Sequence, residues 1–331
     1  MTSPRPAIAC LGAGRMGRGI AVAFAYAGHA VTMIDVKART AEQFATLKNE
    51  ALGEVGKTLA SLARFGLLNE LQVKTVMARV AVVPPQDDAA TLAGAGIVFE
   101  GVPELVDLKR EVLAAASKCV GPEVIIASTT STILVDDLSG AVAHPQRFLN
   151  VHWLNPAYLI PLVEIAPGSA TDPAVIAHTK ALLEGIGKKP VVCAATPGFI
   201  VPRIQALAMN EAARMVEEGV ASAEDIDTAI RYGFGFRYAV LGLLEFIDWG
   251  GGDILYYASR YLEAALGSDR YRAPDVISRN MQEGRIGLRT GAGFLDYSGL
   301  DVDAYREQRL AQLVDMLRHF GLARPPVIDP D

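Results

Sequence analysis

Ala7-Ile8-Ala9-Cys10-Leu11-Gly12-Ala13-Gly14-Arg15-Met16-Gly17, followed by Ala30-Val31-Thr32-Met33-Ile34-Asp35, decides the fold of this chain. The first five residues are wholly apolar, as a parallel strand covered on both faces must be. They run into Gly-x-Gly-x-x-Gly and then an alanine-rich helical run from Ile20 to Tyr26, closed by Gly28. A second apolar strand ends on an acid, Asp35. Gly12 permits the tight turn, Gly14 lets the backbone approach a pyrophosphate, and Gly17 lets helix and strand pack closely. Residues 12–17, Arg15 and Met16 included, form a candidate phosphate cradle, because amides and dipole at a helix N-terminus favour negative charge. Asp35 falls 21 residues after Gly14, where a carboxylate accepts both ribose hydroxyls of an adenosine. It would repel a 2′-phosphate, so the expected cofactor is NAD over NADP, although Lys37 and Arg39 stand nearby. A glycine-rich turn without a ligand would leave Asp35 unexplained.

Outward from this unit, strands and helices alternate. Leu47, Leu52, Val55, Leu59 and Leu62 recur at helical spacing within residues 40–79, which predicts two helices with a break near Phe65-Gly66. Val80-Ala81-Val82-Val83, Ile97-Val98-Phe99-Glu100 and Val124-Ile125-Ile126-Ala127 are further short strands, with a helix ending near Cys119 between the last two. Lys188-Lys189-Pro190-Val191-Val192 closes the series. This alternation predicts an α/β fold, a doubly wound (Rossmann) and mostly parallel sheet, with ligands at the carboxyl ends of its strands. Glu104, Thr130, Ser131 and His152 all follow strand ends, which groups them.

His152 and Glu164 lie twelve residues apart, each in a short apolar segment, with Asn155-Pro156 as a turn between. Imidazole exchanges a proton near neutral pH, and a carboxylate on its far nitrogen fixes the tautomer and stabilises the imidazolium. Alone, such a pair reads as structural. The dinucleotide fingerprint gives it a cofactor to work with.

Thr196-Pro197-Gly198 marks a boundary, and the chain divides on paper into residues 1–192, the dinucleotide-binding domain, and residues 193–331, an all-α domain. Ile200, Ile204, Leu207, Ala208, Met215 and Val216 make one apolar side of a helix over residues 199–218, ended by Gly219. Another helix starts at Ser222, residues 233–242 are rich in glycine and aromatics, and residues 243–248 return to helix. A strand pattern reappears only at Gly293-Phe294-Leu295-Asp296-Tyr297.

A length of 331 residues suits roughly two domains. With 51% hydrophobic residues a sizeable core can be buried, and a net charge of −6 offers no field for nucleic acid or anionic membrane. Cys10, Cys119 and Cys193 are too few and too scattered for a disulfide framework or a metal site, so none is expected and each reads as a small buried hydrophobe. Residues 1–6 are too short and proline-rich for a signal sequence, and no apolar run reaches the length of a membrane span, so a soluble cytoplasmic protein is expected.

The chain resembles the 3-hydroxyacyl-CoA dehydrogenase family from Ile8 to about Tyr297. Gly-Ala-Gly-Arg-Met-Gly-Arg-Gly-Ile-Ala from Gly12, Val-Pro-Glu from Val102, Ser-Thr-Thr-Ser from Ser128, His-Trp-Leu-Asn-Pro from His152 and Pro-Gly-Phe-Ile-Val from Pro197 stand in the family's order. The resemblance implies that His152 is the general base and Glu164 its partner. It implies that Ser131 and Asn155 touch the substrate hydroxyl and the nicotinamide end, and that Glu104 and Lys109 contact the cofactor. The competing role for Ser131 is helix capping. The resemblance also implies a homodimer formed through the helical domain.

Three features bear on the substrate. The family's usual asparagine after Gly-Phe-Ile-Val is Pro202 here, at a helix start that tolerates proline but with no side-chain donor. Gly235-Phe236-Arg237-Tyr238-Ala239 is similar to relatives acting on free acids, such as gulonate and carnitine dehydrogenases, and so is Ile160-Pro161 before Leu-Val-Glu. Arg237 suits a substrate carboxylate, which its planar fork binds bidentately, and its alternative role is an ion pair. The expected substrate is a small free hydroxy acid, with an acyl-CoA as the alternative, for which Lys57 could meet a CoA phosphate. A structural crystallin, which the family includes, and an NAD-binding sensor are the other classes. The retained His152, Glu164, Ser131 and Asn155 argue against the first, and the acidic charge against the second as a nucleic-acid partner.

Overall fold

The computed structural model describes residues 5–326. β1 (Ile8–Leu11) is buried along its whole length, and its residues alternate between two separate apolar cores. That burial explains the unbroken apolar run. The chain turns at Gly12, whose φ of 103° suits glycine, into α1 (Arg15–Tyr26). A Cβ on Gly17 would sit 2.2 Å from the Gly12 carbonyl oxygen, so only glycine lets α1 pack this closely. β2 (Val31–Ile34) leads to α2 (Ala41–Arg64) and α3 (Glu70–Met77), each opened by a capping box, Thr40 with Gln43 and Asn69 with Gln72. Gly66, at φ 78°, lies in the break between them.

Then come β3 (Val80–Val83), α4 (Asp88–Ala93), β4 (Ile97–Glu100), α5 (Val106–Ser117), β5 (Ile125–Ser128), α6 (Val135–Ser139), β6 (Phe148–Trp153) and β7 (Leu162–Pro167). α7 (Pro173–Gly185), capped by Asp172 and with proline at its first position, precedes β8 (Lys189–Val192). The eight strands form one sheet in the order β3-β2-β1-β4-β5-β6-β7-β8, parallel except between β6 and β7. Side chains of α1, α2, α3 and α7 pack in the core on one face, and those of α4, α5 and α6 on the other. The fold is therefore doubly wound, as the alternation of elements requires.

The described chain falls into two compact units that divide between Met209 and Asn210. This point lies inside α8 (Val201–Glu217). The second unit is helical: α9 (Ala223–Ala229), capped by Ser222, a π-helical turn at Ile230–Gly235, α10 (Phe236–Tyr238), α11 (Leu243–Gly250), α12 (Gly252–Leu266), α13 (Asp275–Gln282) and α14 (Val302–His319). Buried Asp248 organises its later loop, accepting from the Phe294 and Leu295 amides at 2.9 and 2.8 Å and from the Tyr297 hydroxyl at 3.2 Å.

Several expectations are corrected. Gly293-Phe294-Leu295-Asp296-Tyr297 holds one isolated bridge, at Asp296, and no strand, because its Phe294 and Leu295 amides bond to the Asp248 carboxylate in place of a neighbouring strand. The residues 199–218 helix starts at Val201; Phe199 lies outside it, in a turn with φ 44°. Only Cys10 is fully buried, whereas Cys119 and Cys193 are half-buried. No helix of the described residues is long and apolar enough to cross a membrane.

Candidate active site

Sheet register brings the strand ends together. Leu11, Glu100 and Ser128 are aligned partners along β1, β4 and β5, and Ser128 aligns with Asn150 on β6, two residues before His152. The loops after these strands therefore line one edge of the sheet.

At the β1 end, Gly14 caps α1 without a side chain, and nothing lies within 4 Å of where its Cβ would be. The first-turn amides of α1 are thus approachable by an anion. Arg15 is exposed and pairs with no carboxylate among the described residues, while Met16 packs against the core. Asp35 follows β2, held by its own amide to Val83 and buried. Its Oδ1 accepts from the Lys37 amide at 3.2 Å and its Oδ2 lies 2.7 Å from Arg39 Nε. These residues fit a dinucleotide: an uncapped helix start with open space before it, and a carboxylate at the end of the next strand.

After β4 lies a charged network that sequence reading found only in part. Glu100 is completely buried; its carboxylate accepts from Lys109 Nζ at 2.9 and 3.1 Å, from the Val102 amide at 2.7 Å and from the Ser128 hydroxyl at 2.6 Å. A charge ending an apolar strand, nine residues before a lysine, was the available signal. Lys109 also donates to the Val102 carbonyl and stands 3.4 Å from Glu104 Oε2. Its ammonium is thus buried and committed to protein partners. Glu104 Oε1 accepts from the Ser131 and Thr132 amides at 3.0 and 3.1 Å and from the hydroxyls of Thr130 and Thr132. Burial pushes the Glu104 carboxyl up, but these donors and the Lys109 charge outweigh it and hold it below the usual range.

Glu104 therefore clamps the loop that carries Ser131. The Ser131 hydroxyl caps no helix: the local amide of Ile133 bonds to Thr130, and α6 has no side-chain cap. Asn150, buried on β6, donates to the Ile133 carbonyl and steadies the same loop.

His152 and Glu164 are opposed residues on antiparallel β6 and β7. His152 Nδ1 lies 2.7 Å from Glu164 Oε2, which leaves Nε2 without a partner among the described residues. The other Glu164 oxygen accepts from the Ile200 and Val201 amides at 2.9 and 2.8 Å, at the start of α8. Burial pushes the Glu164 carboxyl up; the His152 hydrogen bond, the two amides and the imidazole charge more than reverse this, so it stays anionic. Phe199, buried beside them, sets its ring 5.5 Å from the His152 ring. Pro197-Gly198 announced a turn here, and Phe199 stood in the family's Pro-Gly-Phe-Ile-Val motif, but nothing in the sequence placed its ring beside His152. Pro202 is the second residue of α8, where no intrahelical donor is lost.

Asn155 is exposed on the connection between β6 and β7. It lines a cavity of about 310 Å³ with Arg15, Arg18, Glu54, Thr58 and Tyr158. Arg18 is held there by the Ala13 carbonyl and by an ion pair to Glu54. Arg237 belongs to the second unit: its Nε donates to the Gly233 carbonyl, its guanidinium stacks 4.8 Å from the Phe246 ring centroid, and no carboxylate among the described residues pairs with it. The ion pair offered as its alternative role is therefore not found there.

The sequence matches the 3-hydroxyacyl-CoA dehydrogenase NAD binding domain over residues 7–196 and the C-terminal domain of the same family over residues 198–297. The chain belongs to the 3-hydroxyacyl-CoA dehydrogenase family. It is an NAD-dependent oxidoreductase of that family, which acts on CH–OH groups. A 5-formyl-3-hydroxy-2-methylpyridine 4-carboxylate 5-dehydrogenase of Mesorhizobium japonicum is 31% identical, over 94% of this chain and 97% of that protein. A 3-hydroxybutyryl-CoA dehydrogenase of Bradyrhizobium diazoefficiens is 33% identical, over 88% of this chain and 95% of its own. The crystal structure of a 3-hydroxyacyl-CoA dehydrogenase from Archaeoglobus fulgidus superposes with a TM-score of 0.74 at 32% identity, covering 96% of this chain and all of the other.

Proposed function

We propose that this family member oxidises the secondary hydroxyl of a small hydroxy acid bearing a free carboxylate, giving the keto acid. NAD, when bound, accepts the hydride. His152 Nε2 takes the hydroxyl proton, and Glu164 holds the ring by Nδ1 and stabilises the imidazolium. Ser131 and Asn155 orient the hydroxyl and the nicotinamide end. Residues 12–17 and Asp35 hold the cofactor, Glu104 contacts it, and Lys109 supports Glu104 from its buried position. Residues 193–331 serve as the substrate and dimerisation domain of a cytoplasmic homodimer. The exposed Ile254, Tyr257 and Tyr261 on one side of α12 support such pairing.

The observation that carries the free-acid reading is Arg237, stacked on Phe246 and without a carboxylate partner among the described residues. Its test is a screen of NADH formation from 3-hydroxybutyrate, gulonate, carnitine and 3-hydroxybutyryl-CoA, with Arg237→Lys beside wild type. Lysine keeps the charge and loses the bidentate fork, so kcat/KM for a free acid should fall strongly. Faster turnover of the CoA ester, with Arg237→Lys indifferent, overturns the reading. That alternative is favoured by the Bradyrhizobium relative and by Lys57, exposed on α2.

A further inference from the structure

Lys188 follows Gly187 at the turn between α7 and β8 and is only 6% exposed. No carboxylate among the described residues pairs with it. Its Nζ instead donates to the carbonyls of Ala157 and Ile160, at 2.6 and 2.7 Å, and lies 5.6 Å from the Trp153 ring centroid. Burial pushes its pKa down. An ammonium is costly to bury without a counter-charge, and the two carbonyls it holds are what offset that cost here.

Both carbonyls belong to residues 154–161, the connection between the strand of His152 and the strand of Glu164. Within it, the Leu159 and Ile160 amides bond back to the Pro156 carbonyl. Everything else that locates it comes from outside. The Lys189 amide donates to the Pro161 carbonyl at 2.8 Å, and buried Ala157 rests against α1, where a Cβ on Gly19 would lie 3.1 Å from the Ala157 Cβ. Asn155 is two residues before Ala157, so its place is set by these anchors.

We propose that Lys188 is a positioning residue for the dehydrogenase reaction: its ammonium fixes residues 154–161 so that Asn155 meets the substrate. This rests on the reading of Asn155 given above. A methionine at 188 would fill the same space and leave the Ala157 and Ile160 carbonyls without their donor.

The experiment measures kcat, both KM values and the melting temperature for Lys188→Met, Asn155→Ala and the double variant. It uses NAD and whichever of the four compounds screened above wild type oxidises fastest. Lys188→Met is expected to lower kcat by about 10- to 100-fold, the scale of a misplaced group, while the KM for NAD holds. In the Asn155→Ala background it should cost nothing further, since residues acting as a unit are non-additive. A purely structural lysine would lower activity equally in both backgrounds. Gly19→Ala presses on Ala157 from the other side, is expected to give the same pattern, and carries the test if Lys188→Met does not fold. Wild-type kcat in Lys188→Met, or losses that multiply with those of Asn155→Ala, overturns the proposal. If Asn155→Ala itself leaves kcat unchanged, the assignment of Asn155 fails and the proposal with it. If only Asn155→Ala matters, the positioning role alone fails.

Discussion

His152 and Glu164 face one another across β6 and β7 as directly opposed residues, with Nδ1 2.7 Å from Oε2. The carboxylate does two things at once, since its second oxygen receives the Ile200 and Val201 amides where α8 begins. It therefore ties the His152 ring to the strand–helix junction at residues 192–201.

His152→Ala and Glu164→Ala should each lower kcat by roughly 10²–10⁴-fold, the usual contribution of general acid–base groups. NADH affinity, followed by fluorescence titration, should stay near wild type in both. Undiminished kcat in His152→Ala would remove the dyad from the mechanism.

Phe199 combines burial, contact with the His152 ring and a φ of 44° that suits glycine better than any side chain. Phe199→Ala should cost about 3–5 kcal/mol, as other large-to-small core changes do. Phe199→Gly removes one carbon more yet should be at least as stable, because the strained φ is relieved. Urea unfolding of the two variants gives the order; alanine clearly the more stable would mean that φ carries no strain.

Arg39 partly neutralises Asp35 at the end of β2. Asp35→Ala should weaken NAD and relax discrimination against NADP, whereas Arg39→Ala should sharpen the preference for NAD by exposing an unpaired carboxylate to the 2′-phosphate. The check is the ratio of kcat/KM for the two cofactors. Equal values in wild type would dissociate Asp35 from the ribose.

Glu104 and Glu164 are both held below the ordinary carboxylate value of 4.5. As pH falls from neutral, the unfolded chain takes up these protons before the folded one does. Their stabilising contribution is thus complete above the ordinary value and is lost as pH drops through the depressed folded values. Urea midpoints measured from neutral to acid pH should decline for wild type and decline less for Glu104→Gln. Parallel curves would show that the Thr130–Thr132 donors do not hold Glu104 in its charged form.

What the sequence determined by itself was local. Gly12, Gly14 and Gly17 announce a turn because their neighbours in the chain need it, and apolar runs such as Ile8-Ala9-Cys10-Leu11 announce buried strands because both faces are covered. From these, the doubly wound sheet and the strand-end grouping of Glu104, Ser131 and His152 follow. Tertiary structure decided the rest. Which oxygen of Glu164 meets His152 and which meets the α8 amides depends on strand register and on the turn at Phe199. Glu104 as a loop clamp and Lys188 as a carbonyl anchor join segments 26 to 31 residues apart, and neither leaves a periodic trace in the chain. The failed strand at Gly293-Phe294-Leu295-Asp296-Tyr297 has the same origin: a short apolar, strand-like run was present, but the partner for two of its amides was a distant carboxylate, Asp248. Periodicity reports which face of one element is apolar. The partners of a polar side chain are fixed only when elements are set side by side.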